Sequence, residues 1–335
     1  MTTRSGKVWG LLASQFGPLL ALLIVFVFFA VTDALQPGGG RFLSLRNLQA
    51  MLISSAPVVT AALGMTVVII AGGIDLSAGT AVALSATVLA SVLVQGGSIG
   101  LALACCLLTG CATGALNGAM ISSLKVAPFI VTLGTMTAYL GAAKLVADET
   151  TVRPPLESVP SWMNGLAMPS PEPAWLLVAP GVWIILAMAV IVSLVLRYTV
   201  FGRYVFALGS NEQTARLCGL NVPALKVAVY TLSGLFVGLA GIYQFAKLNV
   251  GNPISGIGME LKVIAAVVIG GASLSGGRGS VLGTVTGALL MQTIVSGSTQ
   301  LGLSNPVQDI VLGIVIVAAV TVDQIRQRRV ALPNA

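Results

Sequence analysis

Asp75 is the one carboxylate in VVIIAGGIDLSAGT, residues 67–80, and no other carboxylate, amine or guanidinium occurs between Arg46 and Lys125. A charge in so apolar a setting marks a functional site by default, with proton binding the chemistry a lone acid offers. The same side chain also has a structural use. Asp is a favoured N-cap residue, accepting from the backbone N–H groups that open a helix, and Gly72 and Gly73 break the run just before it while Ser77 follows. Other chemistry is sparse. The chain has no histidine, and Cys105, Cys106, Cys111 and Cys218 form no CxxC pair, so no metal centre is expected and the cysteines read as small apolar fillers. No paired buried carboxylates and no serine with a visible base support an enzyme.

The elements that position Asp75 follow from composition. Hydrophobic residues make up 56% of the 335-residue chain and charged residues 8%, against roughly 25% charged in soluble domains. The expectation is an all-α polytopic membrane protein. A span needs about 20 apolar residues, and ten candidates occur near 16–34, 48–72, 76–95, 98–123, 127–147, 175–197, 224–246, 260–274, 280–299 and 307–323. Some are broken at glycine pairs. Residues 1–335 read as one membrane domain with no stretch left for a soluble catalytic unit. The first run follows Arg4 and Lys7 but lacks a convincing cleavage site, so it reads as an uncleaved helix.

Loop charges set the expected orientation. Arg197, Arg203, Arg216 and Lys226 against Glu212 mark one loop as cytoplasmic, and Arg326, Arg328 and Arg329 mark the C-terminal tail likewise. The loop at about 148–174 holds Asp148, Glu149, Glu157 and Glu172 against Arg153, and is expected outside. Ten crossings then leave both termini cytoplasmic. Arg41 and Arg46 fall on the outer side and are the exception. The net charge of +7 reports topology and lipid contact, and nucleic acid is a poor partner for it.

An offset of 198 residues lays Gly72, Gly73, Asp75 and Ser77 over Gly270, Gly271, Ser273 and Ser275, inside IIAGGIDLSAG and VVIGGASLSGG. Two parallel repeats, about 48–147 and 224–323, are expected, a common plan for transporters. A chance match of two glycine-rich segments is the alternative. Gly110, Gly114 and Gly118, Gly234 and Gly238, and Gly283 and Gly287 recur four apart, which lets helix backbones approach closely. Packing within one subunit and a dimer seam both fit that spacing.

Between the repeats lies FGRYVFALGSNEQTARLCGLNV, 201–222. Its composition favours a short amphipathic helix, with Asn211 a plausible N-cap and Gly219 a plausible stop. Such a helix presents Glu212 and Arg216 to a partner or anchors in headgroups. This loop, with YTLSGLFVGLAG, GMELKVIAAVVIGGASLSGGRGSVLGTVTGALL and GMTVVIIAGGIDLSAGT, resembles the permease subunits of ribose-type sugar ABC importers from about Asn47 to Asp323. The resemblance implies a pore without catalytic activity of its own, in a multi-pass protein of the bacterial cytoplasmic membrane. It implies a second permease subunit, identical or related, and an ATPase subunit with two nucleotide-binding modules, where ATP and Mg are expected. It also implies a periplasmic or lipid-anchored sugar-binding protein. Gly202, Arg203, Gly209, Asn211, Glu212, Ala215, Arg216 and Gly219 match the family's coupling segment.

Two positions depart from the family pattern. Glu260-Leu261-Lys262-Val263-Ile264 stands where Glu-Leu-Asp-Ala-Ile is usual, and Val295-Ser296-Gly297 where an asparagine pair precedes a glycine. The resemblance therefore does not carry a pentose over as the cargo. A sugar needs hydroxyl partners without deep charge, and Asn117, Gln244, Asn249, Asn252, Gln292 and Ser296 are the candidates along its path. Each is weighed against an ordinary interhelical hydrogen bond, worth roughly 0.6 kcal/mol in membranes. The rival is a self-sufficient proton-coupled transporter using Asp75. Gly72, Gly73, Asp75, Ser77, Gly270, Gly271 and Ser273 read either as helix breaks and caps or as an inner gate.

Overall fold

The computed structural model describes residues 4–169, 171 and 173–331. Glu172 lies outside the described residues, as do the side chains of Arg4, Lys7, Arg326, Arg328 and Arg329. The described helices, in order, are α1 (Arg4–Ala34), α2 (Leu45–Ile70), α3 (Ala78–Val94), α4 (Ile99–Leu124), α5 (Pro128–Val146), α6 (Ser161–Leu166), α7 (Pro180–Tyr198), α8 (Val200–Ser210), α9 (Glu212–Leu217), α10 (Val222–Leu248), α11 (Met259–Ile269), α12 (Val281–Gln300) and α13 (Asn305–Ala331). Among the described residues no strand forms, and Val152 and Gly251 make a single antiparallel bridge. The chain is an all-α polytopic membrane protein.

Each of the ten apolar runs carries a helix. Seven of these helices, α1, α2, α4, α5, α7, α10 and α12, are long and apolar enough to cross a membrane. The eighth run differs from expectation: a span over 260–274 is expected, yet α11 has only 11 residues, ending at Ile269. At 1.5 Å per residue it is about 16 Å long, roughly half of a hydrocarbon core. Gly271, at φ +91°, ends it by donating to the Val268 carbonyl, and Ala272 donates to that of Val267. Irregular backbone of this kind survives at depth only where protein surrounds it.

Helix starts follow local chemistry. Ser44, Ser98, Thr199, Asn211, Asn221 and Ser280 cap α2, α4, α8, α9, α10 and α12, each accepting a backbone N–H two or three residues into its helix. Pro57 interrupts α2, removing one backbone bond where the helix later proves to face a cavity.

The glycine spacing is spent inside one chain. A Cβ at Gly110 or Gly114 would strike the Gly234 or Tyr230 carbonyl of α10, and one at Gly118 would lie 2.7 Å from the Val227 Cα. Gly283 and Gly287 of α12 meet Gly270 and Ala266 at the end of α11 in the same way. Without a hydrophobic drive between helices in lipid, this close approach of backbones is what brings dispersion contacts together. Helix α10 thus becomes the hub, packed against α4, α2 and α3. The α1, α5, α7 and α13 faces turn apolar side chains such as Leu20, Ile130, Ile191 and Ile314 outward, as lipid contact requires.

Candidate functional site

Residues 71–77 fold back into the helix bundle after α2. Asp75 is buried, and its Oδ1 accepts from the Ser77 backbone N–H at 2.9 Å, the Ser77 hydroxyl at 2.6 Å and the Asn117 amide at 3.4 Å. The Asn117 amide also donates to Ser77 Oγ at 2.8 Å, and the Tyr139 hydroxyl donates to Asn117 Oδ1 at 3.1 Å. Thr132 and Tyr230 donate to the Ile74 carbonyl. The N-cap position of α3 belongs to Ser77, which makes no side-chain cap bond of its own. Asp75, two residues earlier, holds the amide of that N-cap residue instead of an amide inside the helix. A Cβ on Gly73 would come within 2.5 Å of the Tyr230 hydroxyl, so the break and α10 interlock. Tyr230 lies about 12 Å along α10 from its start; the network is internal to the bundle.

A similar break follows α11, with one residue's difference. Gly72 (φ +82°) donates to Ile69, and Gly73 to Val68. The matching pair after α11 is Gly271 and Ala272, an offset of 199. Gly270, which the 198 offset lays over Gly72, sits at the C-cap in the right-handed region. Ser273 and Ser275, bonded through their hydroxyls at 2.8 Å, keep the 198 offset from Asp75 and Ser77. The second copy therefore has one residue fewer between helix end and serine pair.

Helices α8 and α9 meet at Asn211, whose Oδ1 accepts from Thr214 N at 2.8 Å. Gly202, Val205 and Leu208 form the buried stripe of α8, while Arg203 is exposed. Gly209 is seated on the Ile70 carbonyl, and its ideal Cβ would be 2.6 Å from Gly277 N. Gly277 in turn donates to Ile70 O at 2.8 Å. One end of α8 thus touches the break of each repeat. On α9, Ala215 is buried, Arg216 is exposed, and Gly219 turns the chain at φ +86°. Glu212, whose side chain is 41% exposed, accepts from Lys226 of α10 at 2.8 Å as well as from Arg216 at 3.2 Å. Partial burial alone would raise its carboxyl, but the hydrogen bonds and charges of Lys226 and Arg216 outweigh that and hold it below the usual carboxylate range.

Towards the other end of α10 lies a cavity of about 300 Å³ between α2, α10, α11 and α12. Gln244 and Gln292 line it, with Ser54, Ser55, Pro57, Lys247 and Lys262. The remaining path candidates do not. Asn117 belongs to the Asp75 network, and the Ser296 hydroxyl donates across to Asn47 Oδ1 at 3.1 Å. Asn249 ends α10 in the left-handed region, at φ +53°, and Asn252 accepts from Ile254 N in the α10–α11 connection. The last two do what Asn does readily in turns, tolerating positive φ and mimicking a backbone carbonyl.

Residues 47–320 match the family model described as the branched-chain amino acid transport system permease component. The chain belongs to that permease family. It is 36% identical over 311 residues to the ribose import permease protein of Escherichia coli K12, covering 92% of this chain and 94% of that one. With the ribose import permease protein of Bacillus subtilis 168 it shares 37% over 314 residues, 92% of each. With the L-arabinose transport system permease protein of Escherichia coli K12 it shares 32% over 325 residues, 96% of this chain and 93% of the relative. No solved structure matches it.

In this permease, inspection of the sequence alone overlooks Tyr139 and Thr132 of α5 and Tyr230 of α10, which converge on the break from two helices. It also overlooks Lys247 as a cavity residue. Lys247 carried a signal, an amine one residue from the end of a long helix whose other lysine, Lys226, lies near its start. The hydroxyl groups carried none, because Thr and Tyr are as common in packing as in sites.

Proposed function

We propose that the chain is the pore subunit of an ATP-driven importer that moves a monosaccharide or small polyol across the cytoplasmic membrane by alternating access. The observation that carries this reading is the seat of α8, where Gly209 rests on Ile70 of one repeat and beside Gly277 of the other. A push on α8–α9 from the cytoplasm reaches both breaks at once. The cavity with Gln244 and Gln292 lies at the far end of α10, so one rigid rocking motion links the two. The names of the ribose and arabinose relatives support a sugar as cargo.

The push comes from an ATPase subunit with two nucleotide-binding modules, which binds ATP and Mg and takes Gly202–Gly219 as its coupling segment. A second permease subunit, identical or related, completes the pore. A periplasmic or lipid-anchored binding protein delivers the sugar. In this reading α8–α9 and both termini are cytoplasmic, which the loop charges Arg197, Arg203, Arg216 and Lys226 support by the positive-inside rule. Uptake by proteoliposomes, with and without the ATPase and ATP, is the test. Uptake that persists without either sinks the reading and favours a proton-coupled carrier using Asp75, which Asp75→Asn would silence.

A further inference from the structure

The cavity between α2, α10, α11 and α12 is lined by two ammonium groups, Lys247 and Lys262, and by no carboxylate. Glu260, two residues before Lys262 on α11, faces elsewhere: its Oε1 accepts from Gly258 N at 3.0 Å, and its other oxygen lies against Gly79 of α3. Among the described residues both ion pairs belong to Glu212 at the opposite end of α10, so neither lysine has an acidic partner. The two lysines line the same cavity, one from α10 and one from α11. Like charges that line one cavity repel each other, and a charged group partly withdrawn from water calls for an opposite charge.

Snorkelling to the headgroups accounts for Lys247, which is exposed near the end of α10. It does not account for Lys262, which is half-buried in the first turn of α11. That helix is only about 16 Å long, and its first turn packs against the start of α3 inside the bundle. A neutral sugar supplies hydroxyls to the glutamines but relieves none of the repulsion. An anion between the two amines relieves it, and a lysine ammonium, a compact charge with three donors, holds carboxylate or phosphate oxygens without locking them.

We infer that the cargo is an anionic monosaccharide whose carboxylate or phosphate meets Lys247 and Lys262 while its hydroxyls meet Gln244 and Gln292. The inference rests on the importer reading above and narrows its substrate class.

The experiment uses the complete transporter in proteoliposomes, this permease with its ATPase and binding protein, and radiolabelled D-ribose, D-ribonate, D-ribose 5-phosphate, D-glucose, D-gluconate and D-glucose 6-phosphate. ATP-dependent uptake of an acid or a phosphate is expected to exceed that of its parent sugar at least tenfold, and which anion wins tells carboxylate from phosphate. Lys262→Gln and Lys247→Gln are each expected to lower that uptake at least tenfold, and Lys262→Arg to keep most of it. Co-purification with the ATPase checks that each variant assembles. ATP-driven uptake of the neutral sugars in preference, unchanged by both glutamine variants, overturns the anionic cargo and leaves the importer standing. Uptake of none of the six counts against the anionic cargo as well. Uptake that needs neither ATPase nor ATP overturns the importer reading and the cargo inference with it.

Discussion

Gly277 donates its backbone N–H to the Ile70 carbonyl at 2.8 Å, which joins the end of α2 in the first repeat to the break of the second. Gly209 of α8 is packed against both residues. Three backbone segments meet where any side chain would hold them apart, and Gly277 itself sits at φ +72°, a conformation costing about 1–2 kcal/mol for a residue with a Cβ.

Gly209→Val places a branched side chain on the Ile70 carbonyl. Overpacking of this kind costs about 1–3 kcal/mol, so a lower unfolding temperature in detergent is expected, together with weaker stimulation of the ATPase. Gly134→Val is the control, because a Cβ there meets nothing within 4 Å. Equal midpoints for the two variants would show that the α8 seat is not tight.

Asp75→Ser copies the residue at Ser273, which bonds Ser275 through its hydroxyl. It is expected to keep the fold and most of the ATP-driven uptake. Asp75→Leu leaves the Ser77 backbone N–H and hydroxyl short of an acceptor, at about 1–3 kcal/mol, and is expected to lose stability by that amount. A well-folded Asp75→Ser protein without uptake would assign the carboxylate to proton or substrate binding instead of to holding the break.

Glu212 gives a pH dependence with a definite sign. Its carboxyl lies below the usual range in the folded protein, so its contribution is fully present above about pH 4.3, the ordinary glutamate value. That contribution is lost as pH falls through the lower folded value. Side-chain exposure of 41% at Glu212 and 61% at Arg216 limits it to about 1 kcal/mol or less. Glu212→Gln is therefore expected to be slightly less stable than the native chain at pH 7 and equal to it in strong acid. Chemical denaturation at both pH values measures this, and a difference that grows in acid contradicts it.

Gln292→Ala and Ser296→Ala separate the cavity from its surroundings. Gln292 lines the cavity and Ser296 bonds Asn47. The first is expected to lower uptake several-fold with the fold unchanged. The second is expected to cost roughly 0.6 kcal/mol of stability, the usual worth of an interhelical bond in a membrane, with uptake kept. A reversed pattern in uptake assays would move the sugar path to the α12–α2 seam.

Much of the fold was legible because it depends on local chemistry. Apolar run length located the helices, serine and asparagine types foretold caps such as Asn211, and glycines four apart foretold close helix contacts. The shortness of α11 was hidden, since its apolar run continues past Ile269 and only Gly270 and Gly271 hint at the stop. The Glu212–Lys226 ion pair was hidden because Lys226 follows 14 residues later on another helix. The one-residue difference between the repeats was invisible to an alignment that matched glycine pair to glycine pair.

Composition by itself determined that this chain is a polytopic helical membrane protein, because hydrophobicity and helix signals are written residue by residue. Tertiary structure alone decided that Asn117 joins Asp75, that Gln244 and Gln292 share a cavity with two lysines, and that α8 touches both breaks. Which side chains meet depends on how each helix is rotated and how deep it sits. Those two quantities are set by backbone contacts such as Gly114 on Tyr230 and Gly209 on Ile70, between segments far apart in the chain.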